Sequence, residues 1–246
     1  MRVWDIHPGY LSRQSLLGQH AEIHALFAVI DGQKKGYAAH PETLRWQKNP
    51  ARLIKVHDLT VLEMLLRGFN HASPLKNSAC SDQDSKTKQN CDPLQYIDHP
   101  VDQVSILRRK YLAKNQQGRI PLPKNGFELW ANYKYSVMSR GYNYYKEIQG
   151  LLRGQYRCPL EEAGHLFDQI IAIMDLPIIT PALSNVVDHL WGYFKKEASA
   201  AEKKIYLKWK TKDLLFLISL FYDLAGKYDR PYLLHSTIFA DFTEPS

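Results

Sequence analysis

Apolar residues along the first third of the chain recur at intervals of three and four, the spacing of one helix face. Leu16, Leu17, His20, Ile23, Ala25, Leu26, Phe27 and Ile30 predict a helix over residues 12–30. Ser12 or Ser15 caps its start, and Asp31-Gly32 ends it, since glycine takes the left-handed conformation there without strain. On this helix Glu22 is expected to face outward or into a cleft. His40-Pro41-Glu42 starts a short helix with proline at its favoured first position. Leu53, Ile54, Val56, Leu59, Val61, Leu62, Met64 and Leu65 predict an amphipathic helix over 51–67 that closes at Gly68. Residues 76–93 hold almost nothing apolar. Such a stretch cannot bury enough surface to offset its ordering entropy, and a mobile loop is expected. A helical pattern resumes over 96–117.

Pro121 and Pro123 lie in an extended segment that neither flanking helix can enter, so Gln116–Pro123 reads as a domain boundary. Beyond it, Phe127–Ile148 predicts an aromatic-rich helix. Cys158-Pro159 and Thr180-Pro181 each open a further helix. Ser199-Ala-Ala-Glu202 is a capping box for a helix running to about Leu224. The expected fold class is all-α: two helical domains, residues 1–118 and 125–246, joined by a proline-containing linker, with a polar mobile loop in the first.

Composition narrows the function classes. With 246 residues, 45% apolar and 23% charged, the chain has an ordinary soluble composition. No apolar run reaches the roughly 18 residues needed to span a bilayer; Leu214–Leu224 is too short and holds Ser219 and Asp223. No basic-then-apolar leader precedes the first helix, so a cytoplasmic protein without membrane contact is expected. Cys80, Cys91 and Cys158 form no Cys-x-x-Cys pair, which argues against a disulfide framework or a structural zinc site. The net charge of +7 is uneven: residues 1–118 hold 16 Lys/Arg against 11 Asp/Glu, residues 119–246 hold 16 against 14. A basic first half suits a polyanion such as nucleic acid.

Phosphate-loop, Gly-x-Gly-x-x-Gly, His-Glu-x-x-His and Gly-x-Ser-x-Gly motifs are all absent. Of ten histidines, His20 and His24 have metal-binding i,i+4 spacing, but no third ligand is near them in sequence, and no metal is assigned. The first twenty-two residues carry the specific chemical signal. Apolar and polar residues begin at position 2, so the terminal amine is expected to be held in the fold. An α-amine has a pKa of about 7.7–8.0 against about 10.4 for lysine, so part of it is free base at neutral pH. With Glu22 folded against it, it would form a nucleophile and acid/base pair. A lone glutamate on a helix is, alternatively, simply solvated.

Met1-Arg2-Val3-Trp4-Asp5-Ile6-His7-Pro8-Gly9-Tyr10-Leu11-Ser12-Arg13-Gln14, then Lys35-Gly36-Tyr37 with His40-Pro41, then Leu66-Arg67-Gly68-Phe69-Asn70 resemble the pyrimidine-dimer DNA glycosylase (endonuclease V) family. The resemblance implies an N-terminal amine nucleophile and a glutamate twenty-one residues later. Here these positions are Met1, retained because bulky Arg2 follows it, and Glu22. It further implies a DNA glycosylase with coupled abasic-site lyase activity on damaged pyrimidines, needing no cofactor because the imine forms on the protein. Arg2, Arg13, Gln14, Lys35, Tyr37, His40, Arg108 and Arg109 are the expected contacts to damaged double-stranded DNA, with RNA as the alternative substrate. For Arg108-Arg109-Lys110 a solvated helix face remains the competing reading. The chain departs from the family pattern at Ser15, where a histidine is expected, and at Ala21, where an arginine is expected.

The second half has its own resemblance. Leu129-Trp130 with Lys134-Tyr135-Ser136-Val137-Met138, then Asn185 with His189-Leu190-Trp191-Gly192-Tyr193-Phe194-Lys195-Lys196, then Pro231-Tyr232-Leu233-Leu234 are similar to an uncharacterised all-helical bacterial domain. That domain is often attached to thiouracil-desulfidase-like proteins, whose cluster-binding cysteines this chain lacks. The resemblance implies a role in presenting a nucleic-acid substrate, with Lys134, Asn185, His189, Lys195 and Lys196 as candidates. Lysines and arginines interleaved with tyrosines also suit a single-stranded nucleic-acid groove; a helical core with hydroxyls at its rim gives the same pattern. A catalytically silent nucleic-acid binder and a helical protein-interaction module stand as alternative functions.

Overall fold

The computed structural model describes residues 2–32, 36–75, 95–153 and 158–241. Met1, Lys35, Cys80, Cys91 and the polar stretch 76–93 lie outside them. Among the described residues the fold is all-α, with no β-strand, and no helix is long and apolar enough to cross a membrane.

Helix α1 (Arg13–Ile30) starts at Ser12, whose hydroxyl accepts from the Ser15 amide at 3.3 Å, and it ends before Gly32, at φ 74°. Helices α2 (Pro41–Gln47), α3 (Pro50–Leu66) and α4 (Pro100–Lys114) complete the first half. Three helical segments open on a His-Pro pair: the short 3₁₀ turn Pro8–Tyr10, α2 and α4. In each, the histidine Nδ1 accepts the backbone N–H two residues on, from Gly9 at 2.9 Å, Glu42 at 3.2 Å and Val101 at 3.3 Å. The following proline lacks an N–H to satisfy, so one imidazole suffices where a serine or aspartate usually serves.

The second half comprises α5 (Gly126–Arg140), α6 (Tyr142–Leu152), α7 (Gly164–Met174), α8 (Thr180–Phe194), α9 (Ala200–Trp209), α10 (Leu214–Lys227) and α11 (Pro231–Leu234). Three expectations need correction here. The aromatic helix over 127–148 breaks at Gly141, where a β-carbon would meet Asn143 Oδ1 at 2.5 Å and the Tyr144 ring at 2.9 Å. The helix from Ser199 keeps its capping box but stops at Trp209. Asp213 then caps a new helix by accepting from the Phe216 amide at 2.8 Å. Cys158-Pro159 opens only the 3₁₀ turn Leu160–Glu162, ahead of α7.

The non-helical crossing between α4 and α5 is packed. Ile120 is fully buried, and its amide donates to the Gly9 carbonyl at 2.9 Å. A β-carbon at Gly118 would lie 2.5 Å from the Tyr10 backbone, so only glycine permits this approach. One apolar cluster takes in Trp4, Ile6, Tyr10 and Leu16 from the first half with Leu129, Trp130, Tyr133 and Phe167 from the second. A second cluster sits between α8 and α10, and a third joins Val3 to Ile23, Leu26, Trp46 and Leu53.

Glu63 on α3 is fully buried. It accepts from Arg67 Nε at 2.7 Å and from Arg119 Nε and Nη2 at 2.8 and 2.7 Å. Arg67 continues to the carbonyls of Leu11 and Gly9 at 2.8 and 3.1 Å, and Arg119 to those of Leu234 and Ser236 at 2.5 and 3.2 Å. Burial pushes the Glu63 carboxyl up, but Arg119 and then Arg67 outweigh it and hold the group below its ordinary range. Its stabilising contribution is therefore complete above the ordinary glutamate pKa and is lost as pH falls through the lower folded-state value. Glu63→Gln leaves two mostly covered guanidinium groups without their anion and is expected to cost about 3–5 kcal/mol at pH 7 in urea unfolding. The gap to the wild type should narrow in acid; a gap independent of pH would contradict the assignment.

Candidate active site and nucleic-acid interface

Residues 2–7 form neither helix nor strand, so their buried amides must find other acceptors. Side chains supply them. Val3 N–H donates to Glu42 Oε1 at 3.3 Å, Trp4 to Gln19 Oε1 at 2.9 Å, Asp5 to Gln103 Oε1 at 2.8 Å and His7 to the Tyr133 hydroxyl at 3.1 Å. Gln19 is itself fixed by donating to Thr60 Oγ1 at 2.9 Å. The chain thus doubles back along α1. Ser12 begins the helix, Trp4 meets it at Gln19, and Val3 packs in one cluster with Ile23 and Leu26. Read backwards from Ser12, the segment advances along α1 toward Glu22. The Glu22 residue is half-buried and has no hydrogen-bond or ion-pair partner among the described residues. Met1 lies outside them.

Beside Val3 sits an acid pair that sequence reasoning missed. Arg45, almost fully buried, pairs with Asp5 and also with Glu42 at 3.2 Å. Glu42 also accepts from Trp46 Nε1 at 2.8 Å. Burial raises both carboxyls, and Arg45 opposes this in each. In the sequence, Glu42 reads only as part of the His40-Pro41-Glu42 helix start. Its burial depends on Val3 and Trp46 closing over it.

The expected nucleic-acid contacts divide into two groups. Arg2 is half-buried, paired with Asp98 and 4.3 Å above the Trp4 ring. Arg13 and Gln14 are exposed at the start of α1, Arg13 over Phe69 at 5.3 Å and Gln14 accepting from Gln116 at 2.6 Å. Lys110 on α4 reaches the same end of α1 and donates to Ser15 Oγ at 2.9 Å. Burial and then Lys114 lower its pKa. Arg109 is exposed, whereas Arg108 points to Pro123, donating to its carbonyl at 2.6 Å, with Glu161 at 3.8 Å. Arg108 thus ties α4 to the crossing. Tyr37 is 69% exposed, at φ 62°, with its ring 6.3 Å from that of His40, whose Nδ1 caps α2. Lys35 lies outside the described residues.

In the second half, Trp130, Tyr133 and Tyr135 are core residues, while Tyr142, Tyr193 and Tyr232 are exposed. Lys134 lies 4.5 Å from the Tyr135 ring centre and 4.7 Å from that of Tyr232. Burial lowers its pKa to about 8. Asn185 and His189 share the outer face of α8, and Lys195 and Lys196 follow it into solvent. A cleft of about 1030 Å³ does not include Glu22 in its lining. Lys55, Arg140, Asp175, Lys210, Lys212 and Asp241 are among its lining residues. None of the expected second-half residues lines it. His20 and His24, left without a third ligand in the sequence, meet His57 and His71 in space.

No curated protein and no solved structure matches the chain. Residues 134–243 match a family described only as a protein of unknown function, covering the second-half resemblance. Residues 1–77, which hold the doubled-back segment, Glu22 and the Asp5–Glu42 acid pair, match the family of pyrimidine dimer DNA glycosylases.

Proposed function

We propose that the chain is a DNA glycosylase with coupled abasic-site lyase activity on damaged pyrimidines. The observation that carries this reading is the doubled-back segment, whose side-chain-bonded amides lead toward a Glu22 with no partner among the described residues, within a stretch matching the glycosylase family. The Met1 α-amine attacks the sugar C1′, the glycosidic bond breaks, and the base leaves as it takes up a proton. Loss of a proton from nitrogen and opening of the sugar give an imine. Abstraction of a C2′ proton then expels the 3′ phosphate by β-elimination. Glu22 stabilises the cationic sugar and carries the protons. Arg2, Arg13 and Lys110 hold the backbone, offsetting the few kcal/mol that extruding a nucleotide costs.

Borohydride reduction should trap the protein covalently on abasic duplex DNA, and blocking the α-amine by acetylation should abolish trapping. An acetylated protein confirmed by intact mass that still traps would exclude the α-amine. Glu22→Gln should slow base removal by about 10²–10⁴-fold while sparing DNA binding; unchanged turnover would remove Glu22 from the mechanism.

Duplex affinity should fall linearly on a log–log plot against salt, and Arg13→Ala should flatten the slope by about one. An unaltered slope would show that Arg13 makes no phosphate contact.

A further inference from the structure

His20 and His24 lie one turn apart on α1, on the side away from Glu22: at about 100° per residue, position 22 is about 180° from their midpoint. There they meet His57 of α3 and His71, which follows Gly68. One ring nitrogen from each of the four lies within 4.8 Å of every other. Nε2 of His20 and Nε2 of His24 are 3.3 Å apart. Ring centroids are 4.6–5.5 Å apart, and four of the five pairs within contact are edge-to-face. The rings converge on a point rather than stack.

Their hydrogen bonding lacks a partner of one kind. Nε2 of His57 and Nε2 of His71 are buried with none. His57 Nδ1 lies 2.9 Å from the Asp58 carboxylate, which holds the proton on that nitrogen and leaves Nε2 as a bare lone pair. A tetrahedral ion with bonds of about 2.0–2.1 Å to nitrogen holds its ligand atoms about 3.3–3.4 Å apart. The His20–His24 separation already has this value.

We propose that His20, His24, His57 and His71 form a structural site for a divalent first-row transition ion, with zinc as the ion held. Four imidazoles without a carboxylate among them disfavour calcium and magnesium, which take oxygen ligands, and suit zinc, nickel or copper. Four protein ligands close the tetrahedral sphere, leaving no position for substrate. The ion's task is to pin residues 69–75, which form no helix, onto α1 and α3. Asp58 is a positioning residue acting through His57.

The test uses the full chain, freed of any affinity tag and stripped with a chelator, titrated with Zn²⁺ and with Co²⁺. One ion per chain is expected, with the intense visible absorption of four-coordinate Co²⁺ and a rise in Tm on adding Zn²⁺. Asp58→Asn should weaken Zn²⁺ binding by about 10- to 100-fold at unchanged stoichiometry, and His71→Asn should weaken it more. His71 lies in a non-helical segment, and far-UV circular dichroism of the stripped proteins establishes that the variant folds; His24→Gln replaces it if it does not. Binding below one ion per chain, the pale spectrum of six-coordinate Co²⁺, or a folded His71→Asn or His24→Gln protein titrating like the wild type would each overturn the site.

Discussion

A single buried carboxylate holds this fold together. Glu63 contributes one charge, fully out of water, to two guanidinium groups that reach in opposite directions along the chain. Arg67 carries the contact to the carbonyls around Gly9 and Leu11, at the turn into α1. Arg119 carries it to those of Leu234 and Ser236, near the far end of the described chain. Turn, crossing and C-terminal segment are thus joined at one anion. A buried charge is costly unless fully paired and hydrogen-bonded, so displacing any one of the three would leave the others uncompensated. Arg140 repeats the device on a smaller scale, pairing with Asp241 at 2.7 Å while donating to the carbonyls of Ser136, Met174 and Leu176.

The position of the N-terminal segment follows from that joint. Arg67 holds the carbonyls of residues 8–11, and Ile120 closes on Gly9 from the other side, so the direction in which the chain approaches α1 is set before residues 2–7 are considered. Those residues then run over α1 with amides that no strand satisfies. Gln19, Glu42, Gln103 and Tyr133 come from four different helices to accept them. Since the acceptors lie on α1, α2, α4 and α5, the path of the segment reports the packing of both halves. A mutation that loosens α5 is therefore felt at His7.

Local signals were well written in the sequence. The Ser12 cap, the Gly32 and Gly68 stops, the His40-Pro41 start and the Ser199–Glu202 box all act within a few residues, and each forms as read. What was illegible is whatever depends on distant partners. Glu63 and Arg119 are separated by 56 positions, and nothing around either marks the pairing. Glu42 looks like any first-turn carboxylate until Val3 and Trp46 bury it. The pair His20–His24 shows its spacing, but His57 and His71 are brought to it only by the packing of α3 against α1 and the turn after Gly68. Helix interruptions at Gly141 and Asp213 were misread because apolar spacing continues across them; the stop comes from a steric limit at Gly141 and a competing cap at Asp213.

Space also changes how the departures from the glycosylase pattern should be weighed. Ser15 stands where a cationic or hydrogen-bonding histidine is expected, and by sequence alone that end of α1 has lost a contact. Yet the Lys110 ammonium of α4 reaches Ser15 Oγ at 2.9 Å, and Arg13 stands exposed two positions before it. A basic side chain at the start of α1 is retained, now from a different helix. Ala21 has no such replacement: it is exposed, and no cation is paired beside it among the described contacts of α1. A pattern that compares residues position by position counts both as losses, whereas an anion approaching the start of α1 still meets basic side chains there. The proposed reaction, resting on an amine and Glu22, uses neither position, so under that proposal the two departures bear on how the substrate is gripped and leave the chemical step untouched.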